Sequence, residues 1–170
     1  VAQEKIYYAL AGNVAINNCL NVTAKNVAVG SQCGSIDIPD IDYFEPSSYG
    51  SFELRKTDHN EFIGQKVNYE KTRSKALVSI DSLALRRLDL IKIDVEGMKI
   101  EVLKGAQVSI EKYQPNLLIE IVKSDRKEID AFLSRYGYCF YPMGPNILAI
   151  HSNDPVLRDL KFENNNLFLK

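Results

Sequence analysis

Residues 89–106 read DLIKIDVEGMKIEVLKGA. The stretch opens as an apolar run of the kind buried in a parallel sheet, yet it carries Lys92, Asp94 and Glu96 at every second position. Strand side chains alternate between faces, so Lys92 and Asp94 share one face and Glu96 lies just past the strand end. In open α/β sheets ligands bind outside the carboxyl ends of the strands, and Gly97 lets the chain turn closely there. An acid at a helix start can also do no more than satisfy free N–H groups and the helix dipole. Two acids at one strand end, with a lysine behind them, point to a functional cluster. Lys92 is expected to be buried and therefore to need a partner, since an unpaired buried charge is costly. Glu120, inside LLIEI, is the expected partner.

Working outward from this core, the chain alternates strand and helix patterns. Residues 3–20 have Ile6, Leu10 and Val14 at a spacing of four, a helical stripe. VTAKNVAVG (22–30) reads as a strand ended by Gly30. Residues 31–75 are rich in Gly, Ser, Asp and Pro and read as irregular hairpins and exposed loops. KALVSI is a short strand, and Asp81 is placed to cap a short helical turn. After DLIKID comes a helix with Met98, Val102, Ala106 and Ile110 on one stripe, weakened midway by Gly105. Pro115 stops it, and NLLIEIV is a further buried strand. Asp125 and Glu128 form a capping-box pattern ahead of the stripe Ile129, Phe132, Leu133 and Tyr136, and Gly137 ends that helix. YCFYPMGPNILAIH reads as two antiparallel strands around a turn of Pro and Gly. Residues 152–170 form a polar tail expected to be loosely held. The alternation predicts an α/β fold with a mostly parallel central sheet and an antiparallel edge.

The whole chain sets limits on this. Its 170 residues suffice for one domain with a real core, and 45% hydrophobic with 25% charged residues is ordinary for a globular protein. A net charge of -1 argues against nonspecific nucleic-acid or anionic-membrane partners. No apolar run approaches the ~20 residues of a membrane span. Three widely spaced cysteines and two histidines leave little material for a metal site or a Ser/His/Asp triad, and no metal ligands are assigned. The cysteines read as reduced thiols of a cytoplasmic protein.

SIDSLALRRLDLIKIDVEGMKIEVLKGA followed by YQPNLLIEI resembles the FkbM-type S-adenosylmethionine-dependent methyltransferases. The resemblance extends upstream through ALAGNVAINNCLNVTAKNVAVGS and SSYGSFEL, so that residues 1–151 read as a partial domain of that family. One departure is Lys99, where relatives more often carry an acid. Lying on the helix, it is expected to leave the site unaffected. The resemblance implies a Rossmann-like class I methyltransferase fold and methyl transfer from S-adenosylmethionine to a hydroxyl of a sugar or small natural product. It implies that Asp94 ends the fourth strand, whose carboxyl end lies beside the transferred methyl, which makes Asp94 a catalytic candidate. Glu96, one step further out and less firmly tied to backbone donors, is the candidate catalytic base. It implies that Asn26, Val27 and Ala28, with Asp94, line the cofactor site, and that Tyr49, Gly50 and Ser51 face the acceptor.

The family's first strand, its glycine-rich turn and its ribose-binding acid would all precede residue 1. The chain is therefore expected to be part of a longer polypeptide, lacking the N-terminal strands, with the fourth strand left as an open edge prone to self-association. Two other readings stand beside this one. One is a methyltransferase-derived binding module that does not catalyse. The other is an α/β enzyme of another class, whose paired acids hold a divalent cation.

Overall fold

A computed structural model describes residues 1–58, 60–122, 124–163 and 166–170. They form two compact units, Val1–Ser79 and Ile80–Lys170.

The first unit opens with α1 (Glu4–Ile16), shorter than the expected 3–20. Three strands follow, β1 (Ala28–Val29), β2 (Gly34–Asp40) and β3 (Asn68–Val78), in the order β1-β3-β2. β1 runs parallel to β3, and β2 runs antiparallel to it. The expected strand over 22–30 is thus reduced to two residues, and KALVSI is the end of a much longer strand. The connection over residues 41–67 has a small core of its own. Ile41, Phe52 and Ile63 are buried together, with Tyr43, Tyr49, Leu54 and Val67 packed around them. Its closure depends on Gly64, whose φ is +104° and where a Cβ would lie 2.8 Å from the carbonyl oxygen of Pro46. Composition alone made this stretch read as exposed loops. Three buried apolar residues spread over some twenty positions carry no period that would reveal a core.

The second unit is built on a four-stranded sheet of β4 (Leu90–Ile93), β5 (Asn116–Glu120), β6 (Tyr138–Met143) and β7 (Asn146–His151) in the order β4-β5-β7-β6. β4 and β5 are parallel, whereas β5–β7 and β6–β7 are antiparallel. The sheets are therefore mixed, where a mostly parallel sheet was expected. The tight connection at Gly144 (φ +59°) forces β6 and β7 antiparallel, and β7 then inserts beside β5. Three helices accompany the sheet, α2 (Lys99–Lys104), α3 (Gln107–Tyr113) and α4 (Arg126–Ser134). Leu103, Ala106, Ile110, Leu117, Ile119, Leu133 and Ile147 are fully buried and form the centre of this unit.

The break between α2 and α3 falls at Gly105, as the sequence suggested, but a second residue shapes it. Asp81 does not cap its own short 3-10 turn. Its carboxylate accepts hydrogen bonds from Val108 N–H (3.0 Å) and Ser109 N–H (2.8 Å), and its own N–H donates to the Gly105 carbonyl (2.9 Å). It thus caps α3 from 27 residues away, satisfying donors that the helix start leaves open. Asp125 caps α4 as expected, accepting from Lys127 and Glu128 N–H. The segment after His151 holds a hairpin of β8 (Leu160–Glu163) and β9 (Asn166–Leu169), in which Phe162 packs edge-on against Tyr141. No helix among the described residues is long and apolar enough to cross a membrane.

Candidate active site

β4 places the first candidate residues. Ile91 and Ile93 are buried, while Leu90 and Lys92 are exposed. Lys92 therefore lies on the open face of a one-sided strand, and the expectation that it is buried is overturned. It pairs with Asp94, two residues on along the same face, and not with Glu120. Side chains at positions i and i+2 of an extended chain lie next to each other, so the pair forms locally. Both partners are about half exposed, 51% and 57%, and a pair that open to water contributes little to stability.

Past Asp94 the chain turns through Gly97, at φ +69°, a conformation that favours glycine. Glu96 stands at this turn half-buried, with its Oε2 shielded from solvent.

The buried lysine of this region is Lys99, in the first turn of α2. Its side chain is 3% exposed, and its Nζ lies 2.6 Å from Oε2 of Glu120, at the end of β5. It also donates to the Val122 carbonyl at 3.1 Å. Glu120 thus has the lysine partner that the sequence called for, but a different lysine. The first turn of α2 stands over the carboxyl ends of β4 and β5, which brings Lys99 to Glu120. Sequence reasoning set Lys99 aside because it lay on a helix. The signal that could have found it is its place two residues after Gly97, where a helix entering the sheet's end must face inward. A small cleft of about 150 Å³ opens here, lined by Gly97, Lys99, Ser124 and Asp125 among others.

The remaining candidates lie in the first unit. Asn26 has its side-chain amide donating to the carbonyls of Val1 (2.8 Å) and Ala2 (3.2 Å), and its Oδ1 accepts from Lys75 at 2.7 Å. Val27 is half-buried, and Ala28, 4% exposed, sits in β1 opposite Leu77. Tyr49, Gly50 and Ser51 form a 3-10 turn. The Tyr49 ring stacks on Tyr43 at 5.1 Å, and its hydroxyl donates to the Glu45 carbonyl at 2.6 Å. Ser51 is hydrogen-bonded to Ser48 through the two hydroxyls (2.9 Å). Gly50 has open space where a side chain would be. Asp94 and Glu96 are thus brought together at one strand end, while the other two groups each hold local structure in the first unit. Among the described residues no group of three or more His, Cys, Asp or Glu is arranged to hold a metal ion.

Residues 2–140, which contain all of these positions, match the model of the methyltransferase FkbM domain. The chain belongs to the FkbM methyltransferase family. That is the family indicated by DLIKIDVEG-x-x-x-EVLKGA. This FkbM-family chain is similar in structure to methyltransferase FkbM from Methylobacillus flagellatus KT, with a TM-score of 0.58 and 17% identity. The likeness covers 88% of this chain and 35% of that one, so the chain spans about a third of its relative's length. At that identity the likeness speaks to the fold, an α/β architecture with mixed sheets. No curated protein matches the chain.

Proposed function

We propose that this FkbM-family chain carries the acceptor-side catalytic residues of an S-adenosylmethionine-dependent methyltransferase acting on a hydroxyl of a sugar or small natural product. The observation behind this reading is the pair of carboxylates, Asp94 and Glu96, at the carboxyl end of β4 and inside the segment matching the family. S-adenosylmethionine, when bound, supplies an electrophilic methyl group on a sulfonium. The donor set fits its methionine end, because carboxylates favour a neighbouring ammonium and sulfonium. Lys92 engages Oδ2 of Asp94, and a carboxylate has further lone-pair sites to offer. Asp94 would hold the amino group of the cofactor or the acceptor hydroxyl. Glu96, with one oxygen already shielded from water, would take the hydroxyl proton. Holding the acceptor in line with the methyl group supplies much of the rate.

A second reading, a non-catalytic module of the same ancestry, has its own support. Asn26, proposed to face the cofactor, has its amide committed to the Val1 and Ala2 carbonyls and to Lys75. Calorimetric titration with S-adenosylhomocysteine distinguishes the two. Heat with one-to-one stoichiometry supports the enzyme, and a folded chain that gives no heat supports the module. The proposed setting is the cytoplasm, with partners limited to a small-molecule acceptor and other copies of the chain meeting at β4, without nucleic acid or membrane.

A further inference from the structure

The first unit contains an open cleft of about 570 Å³ between α1 and the paired strands β2 and β3. That volume lies within the range of about 300–1,000 Å³ common to small-molecule sites. Lys71, Arg73 and Lys75 line it from alternate positions of β3, so three cations stand on one face of one strand. Like charges in such a column repel, and the intramolecular compensation is partial. Asp40 serves two of them, at 3.7 Å from Lys71 and 3.1 Å from Arg73. Lys75 lies 3.6 Å from Glu4. Counting every lining residue, five cations meet three carboxylates, in a chain whose net charge is -1. The cleft is therefore a local positive excess on a slightly acidic molecule. Its rim is aromatic. Tyr43 is held against Tyr49, Phe44 is 89% exposed, and Lys5 lies 5.2 Å and 4.7 Å from the centres of the Tyr43 and Phe44 rings.

We propose that this cleft binds an anionic sugar, one bearing a phosphate or a carboxylate. The anion would sit on Lys71 and Arg73, where a guanidinium offers two parallel donors. The apolar face of the sugar ring would lie on Phe44, which is 89% exposed and whose flat surface suits it. Asp40 sets the affinity, because it competes with the ligand for the same two cations. The site lies wholly within the first unit, and the proposal does not depend on methyl transfer.

The test is an amide-resolved NMR titration of the chain with glucose phosphate, and with glucose and inorganic phosphate separately at constant ionic strength. Glucose phosphate is expected to give saturable shifts confined to residues 3–8, 38–44, 65–68 and 71–75, at least about tenfold tighter than either half alone. Arg73→Gln should weaken binding about tenfold, the loss expected for a charged hydrogen bond. Asp40→Asn should strengthen it about fivefold by releasing both cations. That gain is the opposite of what a purely structural Asp40 would produce. Shifts that are absent at millimolar ligand, or equal affinity for inorganic phosphate, would overturn the proposal. So would an Asp40→Asn chain that keeps its native spectrum and binds no tighter.

Discussion

Lys99 and Glu120 are joined by a 2.6 Å ion pair in which the lysine side chain is 3% exposed and the glutamate 19%. The asymmetry decides how each substitution behaves. Glu120→Ala leaves a buried ammonium without its counter-charge, which is expected to cost about 3–5 kcal/mol. Lys99→Met leaves a carboxylate that water can partly reach, so a smaller loss is expected. Replacing both residues with apolar ones should recover stability relative to Glu120→Ala. Urea midpoints of the three variants check this, and near-zero shifts in all of them would contradict it.

Asp81 is expected to stabilise α3 although it lies outside that helix. Asp81→Ala removes the acceptor for Val108 and Ser109 N–H and should cost about 0.5–2 kcal/mol, the usual value of a helix cap. Hydrogen exchange should quicken first at those two amides. Unchanged exchange there would show that water replaces the carboxylate without loss.

Tyr138 makes stability fall in alkali. Its hydroxyl donates to the Pro115 carbonyl at 2.8 Å in a buried setting, and burial, followed by the nearby charge of Asp154, pushes its phenol well above the ordinary tyrosine value. An unfolded tyrosine ionises near about pH 10. The stabilisation is therefore fully present below that pH and is lost as pH rises toward the folded value, because the unfolded chain releases its proton first. The urea midpoint should decline from about pH 10 upward. Tyr138→Phe should lose about 1–3 kcal/mol at neutral pH and show a shallower alkaline decline. Some decline should persist, because burial also raises Tyr43 and Tyr69. An unchanged slope in the variant would assign the effect to those other tyrosines.

Asp94→Asn and Glu96→Gln separate chemistry from structure. The Lys92–Asp94 pair is open to water, so Asp94→Asn should change thermal stability by less than about 1 kcal/mol. In the full-length protein, with an acceptor that turns over, each substitution should lower kcat by about 10²-fold. A Glu96→Gln protein with full activity would remove the base assignment. Loss of stability without loss of rate would leave both residues as caps of the turn into α2.

The edge of β4 is expected to support self-association. Among the described residues it is bonded only to β5, and Leu90 is 57% exposed. Sedimentation should show an average mass that rises with concentration. A sharp monomer at all concentrations would be explained by the strand's four-residue length and by Lys92, since short, charged edges resist pairing, and it would refute the expectation.

What the sequence determined by itself is local or family-wide. The cap of Asp125, the stripe Ile129, Phe132 and Leu133, the break at Gly105 and the turn at Gly137 were all legible, because each depends on neighbours within a few residues. The DLIKIDVEG core identified the family. The charge at every second position in that core was misread for a physical reason. A four-residue strand buried on one face and a strand buried on both are told apart by what covers the second face, and β4 is covered on one only. That coverage comes from residues far along the chain. Tertiary structure alone decided that Lys92 stays in solvent, that Lys99 crosses to Glu120, and that Asp81 caps α3. It also decided that Ile41, Phe52 and Ile63 close a core within what read as loops. The last three join residues separated by ten or more positions, where no periodicity records the contact and only the packed chain brings the partners together.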